Sequence, residues 1–254
     1  MKIQYASDLH LEFSANSSHL KLNPLEVVGD ILLLAGDIGY LSDDGSYPHP
    51  FWDWASKNYK QVIVVPGNHE LYNGFDINKL HKGLIIPIRE NVAYHYNSVV
   101  SIENVDIIVS TLWAYIEPID ALATQRRVSD FRSTIADGDE RLTVDRFNAE
   151  HQRCIEFIKN AVANSKAEKI VVVTHHVPSS VLSSPDFKGS QINGAFVSEQ
   201  FDFIENSPID YWIYGHSHRN IDGVIGNTQC LSNQLGYVAM EDIDSFDRAK
   251  YIEL

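Results

Sequence analysis

Residues 62–70 read Val62-Ile63-Val64-Val65-Pro66-Gly67-Asn68-His69-Glu70. Four β-branched apolar residues form a run too short for a surface helix, and they read as a buried strand. Pro66-Gly67 stops the run. Asn68, His69 and Glu70 follow, and no apolar partner accounts for the histidine. The same arrangement recurs four times. Ile3-Gln4-Tyr5-Ala6 precedes Asp8-Leu9-His10, and Ile31-Leu32-Leu33-Leu34-Ala35 precedes Gly36-Asp37-Ile38-Gly39. Ile170-Val171-Val172-Val173 precedes Thr174-His175-His176, and Tyr211-Trp212-Ile213-Tyr214 precedes Gly215-His216-Ser217-His218. Strands of one parallel sheet deliver their C-terminal ends to one edge, where open α/β sheets bind ligands. Residues as distant as Asp8 and His218 would then meet in one site.

Taken singly, each cluster has a plain explanation. Asp-x-His after a strand is an ordinary capped turn, and Gly-Asp-x-Gly is common turn chemistry. Adjacent side chains of a strand face opposite ways, so only one of His175 and His176 is expected at the site. Taken together the plain explanation fails, because six of the eleven histidines sit in these clusters, each behind an apolar run. His19, His49, His81, His95 and His151 lack that setting and read as surface or core residues. Imidazole and carboxylate without thiolate suit Mn, Fe, Zn, Co or Ni better than Cu(I) or an iron–sulfur cluster. Asp8, Asp37, Asn68 and four histidines are too many for one ion. They suit two divalent or trivalent ions sharing a carboxylate, the usual device for in-line displacement at phosphorus.

In this order, Asp-x-His, Gly-Asp, Gly-Asn-His-Glu, His and Gly-His-x-His resemble the calcineurin-like metallophosphoesterase superfamily. The motifs run from residue 8 to residue 218, most of the chain. The resemblance implies an α/β fold, a four-layer α/β/β/α sandwich of two mixed sheets flanked by helices. It also implies that Asp8, His10 and His218 hold one ion, that Asp37 bridges, and that Asn68, His175 and His216 hold the other. His69 would be the catalytic histidine beside the leaving oxygen. His175 is preferred to His176 because it directly follows the strand and Thr174, and His176 would then face the substrate or support a ligand. The activity implied is hydrolysis of a phosphomonoester or phosphodiester by a metal-activated hydroxide, with His69 as proton donor. Glu70 either orients His69 or a ligand, or caps its turn.

Gly36-Asp37-Ile38-Gly39 lacks the Asp-Arg-Gly that follows the second motif of the Ser/Thr protein phosphatases, which counts against a phosphoprotein substrate. Two readings compete with a small-ester hydrolase. One is a nuclease, with nucleic acid entering only as substrate. The other is a catalytically inactive protein-binding scaffold of the same fold. The net charge of −14 disfavours non-specific binding to a nucleic-acid backbone. Apolar residues are 44% of the chain, enough for a sizeable core. Cys154 and Cys230 read as small core residues rather than ligands or a disulfide pair. No leader-like segment precedes the first strand, and no apolar stretch approaches the ~20 residues of a membrane helix. These features make a cytoplasmic protein the expectation, with no membrane contact and no indication of oligomeric state.

The chain reads as one domain, 1–254. Strands are expected near 2–7, 31–35, 62–65, 92–96, 98–102, 105–111, 170–174, 211–214, 223–230, 235–240 and 249–253. Helices are expected from Trp52, near 76–82, over 143–164 and over 196–206. Polar or loop-like segments cover 14–24, 40–49 and 178–194. Residues 113–145 lack a clean period and form a lid-like excursion, with Arg126, Arg127, Arg132 and Arg141 among Asp130, Asp137, Asp139 and Glu140. Arg127 and Arg132 could clamp an anionic substrate, or pair at the surface with Asp130 and Asp137. Tyr40, Tyr72 and Trp113 could line the cleft or serve packing.

Overall fold

The structure is a computed structural model that describes residues 1–42, 44, 46–138 and 140–254, the Asp137 side chain excepted. Asp139, and Asp137 as an arginine partner, therefore lie outside the described residues, as do Asp43 and Gly45 of the 40–49 loop. The strands are β1 (Lys2–Ala6), β2 (Ile31–Leu34), β3 (Gln61–Val64), β4 (Leu84–Arg89), β5 (Val92–Tyr96), β6 (Ser98–Ile102) and β7 (Val105–Ser110), followed by β8 (Ile135–Asp137), β9 (Glu140–Arg141), β10 (Lys169–Thr174), β11 (Tyr211–Tyr214), β12 (Gly223–Ile225), β13 (Thr228–Ser232) and β14 (Tyr251–Glu253). The α-helices are α1 (Ser14–Leu22), α2 (Pro50–Asn58), α3 (Ala121–Arg127), α4 (Asp130–Ser133), α5 (Val144–Asn164) and α6 (Phe201–Glu205).

Two six-stranded sheets form the centre, ordered β14-β1-β2-β3-β5-β4 and β12-β13-β11-β10-β7-β6. The inner four strands of each run parallel and the outer ones antiparallel. Strand side chains alternate between faces, and that alternation builds three apolar layers. Ile3, Tyr5, Ile31, Leu33 and Ile63 of the first sheet meet Ile107, Val109, Val171, Val173 and Ile213 of the second. Leu32 and Leu34 turn outward, where Trp52 and Ala55 of α2 cover them. Val172 and Trp212 turn outward to Ile158 of α5 and Ile204 of α6. Helix α5 spans both outer layers, with Phe147 and Cys154 in one and Ile155 and Val162 in the other. This is the expected four-layer sandwich of two mixed sheets.

The five motif-bearing strands lie where the apolar runs placed them, but they belong to two sheets, three in one and two in the other. Several weaker elements differ from expectation. Residues 14–24 contain α1, whose only buried side chains are Asn16 and Leu20, so its apolar stripe is thin. The antiparallel edge strand β4 alternates only half-buried with exposed residues and includes Pro87, which blurs its pattern. The 223–230 stretch is a hairpin, β12 and β13, turning at Gly226. Residues 235–240 form an irregular segment rather than a strand, and they carry Tyr237 to the site. The helix expected over 196–206 is only α6, and near 76–82 there is one 3-10 turn, Ile77–Lys79. Both cysteines are buried and free.

Candidate metal centre

The C-terminal ends of the two parallel sets face one another. Asp8, Asp37 and Asn68 follow β1, β2 and β3, while His175 and His216 follow β10 and β11. Backbone bonds tie the loops together: Asp8 N–H to the Gly36 carbonyl at 2.9 Å, His10 N–H to that of Asp37 at 3.0 Å, and Gly215 N–H to that of His175 at 2.9 Å. Across the sheets, His216 N–H donates to both carboxylate oxygens of Asp8 at 3.1 Å. Asp8, His10, Asp37, His216 and His218 all adopt positive φ, between 46° and 77°. Such backbone is strained for residues with a Cβ and gathers at functional sites.

Close approach explains Gly67. A Cβ there would lie 2.2 Å from Asp37 Oδ1 and 2.9 Å from His175 Cε1. Gly67→Ala is therefore expected to push Asp37 aside, lowering metal content at least tenfold and stability by about 1–3 kcal/mol. Elemental analysis and thermal unfolding would check it, and unchanged metal content would contradict the packing argument.

Three groups of donors converge: Asp8, His10 and His218; Asp37, His175 and His216; and His10, Asp37 and His69. Neighbouring acceptors fix which atoms face inward. His10 Nδ1 lies 3.0 Å from Glu12 Oε1, and His218 Nδ1 lies 2.7 Å from Glu241 Oε2. Each Nδ1 therefore donates, and the two Nε2 atoms face each other at 3.0 Å. On the other side, His175 Nδ1 donates to the Ala35 carbonyl at 2.9 Å, and His216 Nε2 to that of Ala195 at 3.3 Å. That leaves His175 Nε2 and His216 Nδ1 facing each other at 3.0 Å, with Asn68 Oδ1 2.9 Å from the former. Asn68 is oriented by its amide group, which donates to Tyr72 Oη and to Asp130 Oδ1, both at 2.9 Å. Ring nitrogens and oxygens aimed at one another across such gaps fit cations, to which each can offer a lone pair once any proton between them is displaced. Asp37 lies between, 3.4 Å from His175 Nε2 and 3.9 Å from His10 Nε2.

The electrostatics agree. Burial raises Asp37, but the charges of His175 and His69 outweigh it and hold the carboxyl well below its usual range. Burial also opposes charge on His175 and His218. Asp37 and Asp8 reverse that effect, pushing His175 up to about 9 and His218 up to about 10. In the protein alone these rings hold protons that a metal ion would displace. His216 stays well below the ordinary range, through burial and then the charge of His175.

A family model described as calcineurin-like phosphoesterase matches residues 1–220. The chain belongs to that family. It is a hydrolase of the phosphoesterase type, with clustered His and Asp side chains able to hold metal. An uncharacterized protein of Acanthamoeba polyphaga mimivirus is 27% identical over 280 residues, covering 99% of this chain and 96% of that protein. Among solved structures, the phosphopantetheinyl hydrolase of Mycobacterium tuberculosis superposes with a TM-score of 0.62 at 16% identity, covering 94% of this chain and 90% of that one. At that identity the likeness concerns the fold.

The structure brings together Asp8, His10, Asp37, Asn68, His69, His175, His216 and His218. His176 is fully buried, with its ring 4.2 Å from that of His216 and 5.3 Å from that of Trp113, so it packs against a candidate ligand and does not face a substrate. Arg127 is exposed. Arg132 is exposed too, and its guanidinium donates to the Arg126 carbonyl at the end of α3. Neither contacts a site residue among the described interactions. Trp113 is core, whereas Tyr40 and Tyr72 ring the His69 imidazole at 6.3 and 4.5 Å.

Glu12, Asp130, Tyr237 and Glu241 were not singled out from the sequence as site residues. Glu12 follows His10 by two residues, just beyond the first motif, a signal that could have been read. Asp130, Tyr237 and Glu241 lie far from any motif. Asp130 anchors the 113–145 excursion to Asn68 and Tyr72. The Glu70 carboxylate receives the backbone N–H groups of Asp37, Ile38, Gly39 and Gly67.

Proposed function

We propose that this chain is a dinuclear metal-dependent hydrolase of small phosphate esters, monoesters or diesters. The observation that carries it is the convergence of oriented lone pairs on two neighbouring points, with Asp37 between them. In this reading Asp8, His10 and His218 would hold one ion, Asn68, His175 and His216 would hold the other, and Asp37 would serve both. Two such ions, drawn from Mn, Fe, Zn, Co or Ni, would supply an activated water nucleophile and offset phosphoryl charge.

His69 is the proton donor. Its Nδ1 is engaged by Glu12 at 2.9 Å, so Nε2 is the atom left to serve the departing oxygen. Tyr237 Oη, 3.2 Å from Nε2, marks the space beside that atom. Tyr40, Tyr72 and Phe13 surround the ring and would flank a leaving group. Nucleic acid enters this reading only as a substrate. No helix among the described residues is long and apolar enough to cross a membrane. A single domain over 1–254 and a cytoplasmic setting belong to the same proposal. They are supported by ligands drawn from both sheets and by two unpaired cysteines.

The test is removal and return of metal. Protein stripped by a chelator is reloaded separately with Mn, Fe, Zn, Co, Ni or Mg, then given p-nitrophenyl phosphate and bis(p-nitrophenyl) phosphate. Stripping is expected to lower kcat by at least about 10³-fold, and one or more ions should restore it. Absence of hydrolysis with every ion would overturn the proposal. The preferred ester would distinguish a phosphomonoesterase from a phosphodiesterase.

A further inference from the structure

We infer that Glu12 is a positioning residue that orients His69 for proton delivery, through one carboxylate oxygen shared with His10. This rests on the phosphoesterase reading above. Glu12 Oε1 lies 3.0 Å from His10 Nδ1 and 2.9 Å from His69 Nδ1. The side chain is only 4% exposed, and its other oxygen, Oε2, has no hydrogen-bond partner among the described residues. The two rings meet edge to face, 4.5 Å apart at 68°.

One oxygen accepting two ring N–H groups settles both tautomers. Each imidazole donates through Nδ1, so each presents Nε2 to the centre. For His10 that atom faces His218 Nε2 at 3.0 Å. For His69 it faces Tyr237 Oη at 3.2 Å, with Asp37 Oδ2 at 4.0 Å. Glu12 sits in the loop that bears His10, so the segment supplying a candidate metal ligand also aims the proton donor.

In the step itself, water forms the new P–O bond and the ester P–O bond breaks. The Nε2 proton of His69 goes to the departing oxygen, which leaves as an alcohol. The water's surplus proton goes to solvent, from which His69 is reprotonated. Throughout, Nδ1–H stays on Glu12. The buried carboxylate holds the ring in that orientation through a charge-assisted bond, and a neutral amide of the same shape holds it more weakly.

The test is Glu12→Gln in the metal-loaded protein, assayed with two esters of one phosphoryl type. One releases nitrophenol, a good leaving group, and the other a simple alcohol, a poor one that needs the proton. On the alkyl ester kcat is expected to fall about 10–100-fold. At saturating metal, with occupancy confirmed because Glu12 also holds His10, it should fall less than about threefold on the nitrophenyl ester, with KM unchanged. Added to His69→Ala, the substitution should cost nothing further, because both act through one proton transfer. Equal loss on both esters at full metal occupancy, or a further loss in the His69→Ala background at full occupancy, would overturn the inference. If the glutamine variant fails to fold, Glu12→Asp serves, since it keeps the charge but cannot reach both rings. Its loss should show the same leaving-group selectivity. A wild type inactive on every ester would overturn both readings; an active wild type with unselective loss in the variant would overturn only this one.

Discussion

Asp37→Ala is expected to remove at least one bound ion and to lower kcat by about 10³-fold or more, while the fold survives. Asp37 is the carboxylate common to two of the three donor groups. Its Oδ1 lies 3.4 Å from His175 Nε2 and its Oδ2 lies 3.9 Å from His10 Nε2, so one side chain reaches toward both ion positions. In the proposed reading every other ligand would serve one ion. Alanine also removes the acceptor that His69 N–H uses at 2.9 Å, which would loosen the proposed proton donor as well. The backbone of the loop should hold, because Glu70 and not Asp37 receives its N–H groups. Elemental analysis, steady-state kinetics and circular dichroism would check each part. Retained activity with retained metal would refute the bridging role. Asp37→Asn is an informative companion. It keeps a neutral oxygen in place, so any activity below wild type at saturating metal measures the lost charge.

The strand ends of this site were legible because each ends an apolar run that has no other reading. Val62–Val65 and Ile170–Val173 are buried on both faces, so their pattern is continuous and their endpoints are sharp. Chemistry-bearing side chains immediately beyond such endpoints have few alternatives to a shared site. Two sheets rather than one parallel sheet could not be told from those runs alone, since buried strands look alike in either. The supporting residues were hidden for a different reason. Tyr237 and Glu241 come from an irregular segment after β13, where neither period nor motif marks a position. Asp130 sits among exposed charges of the excursion, yet among the described residues it alone turns inward to Asn68. Arg127 and Arg132 share that local composition and stay outside. Composition cannot separate them, because the difference is set by which face of a short helix meets the core.

Glu70→Ala is expected to be the most damaging single change to stability at the site, lowering it by roughly 4 kcal/mol or more. The Glu70 side chain is fully buried, and its carboxylate accepts from five donors. Asp37 N–H and Gly67 N–H reach Oε2 at 3.0 and 2.7 Å, while Ile38 N–H and Gly39 N–H reach Oε1 at 2.7 and 3.3 Å. The Tyr94 hydroxyl adds a fifth donor, 3.3 Å from Oε1. Burial pushes the carboxyl up to about 8, with Asp37 adding to the rise, whereas His175 and the N–H donors pull it down. Stranding a buried donor costs about 1–3 kcal/mol, and alanine strands several at once. The expected fall in melting temperature is about 8–16 °C for a chain of this size. Metal content should fall too, because the two loops braced by Glu70 carry Asp37 and Asn68. Glutamine should not rescue the loss. Its amide would turn an NH₂ group toward two N–H donors at one oxygen position, so Glu70→Gln should lose most of what Glu70→Ala loses. A glutamine variant with wild-type melting temperature and full metal content would mean that water replaces those bonds, and that Glu70 braces nothing.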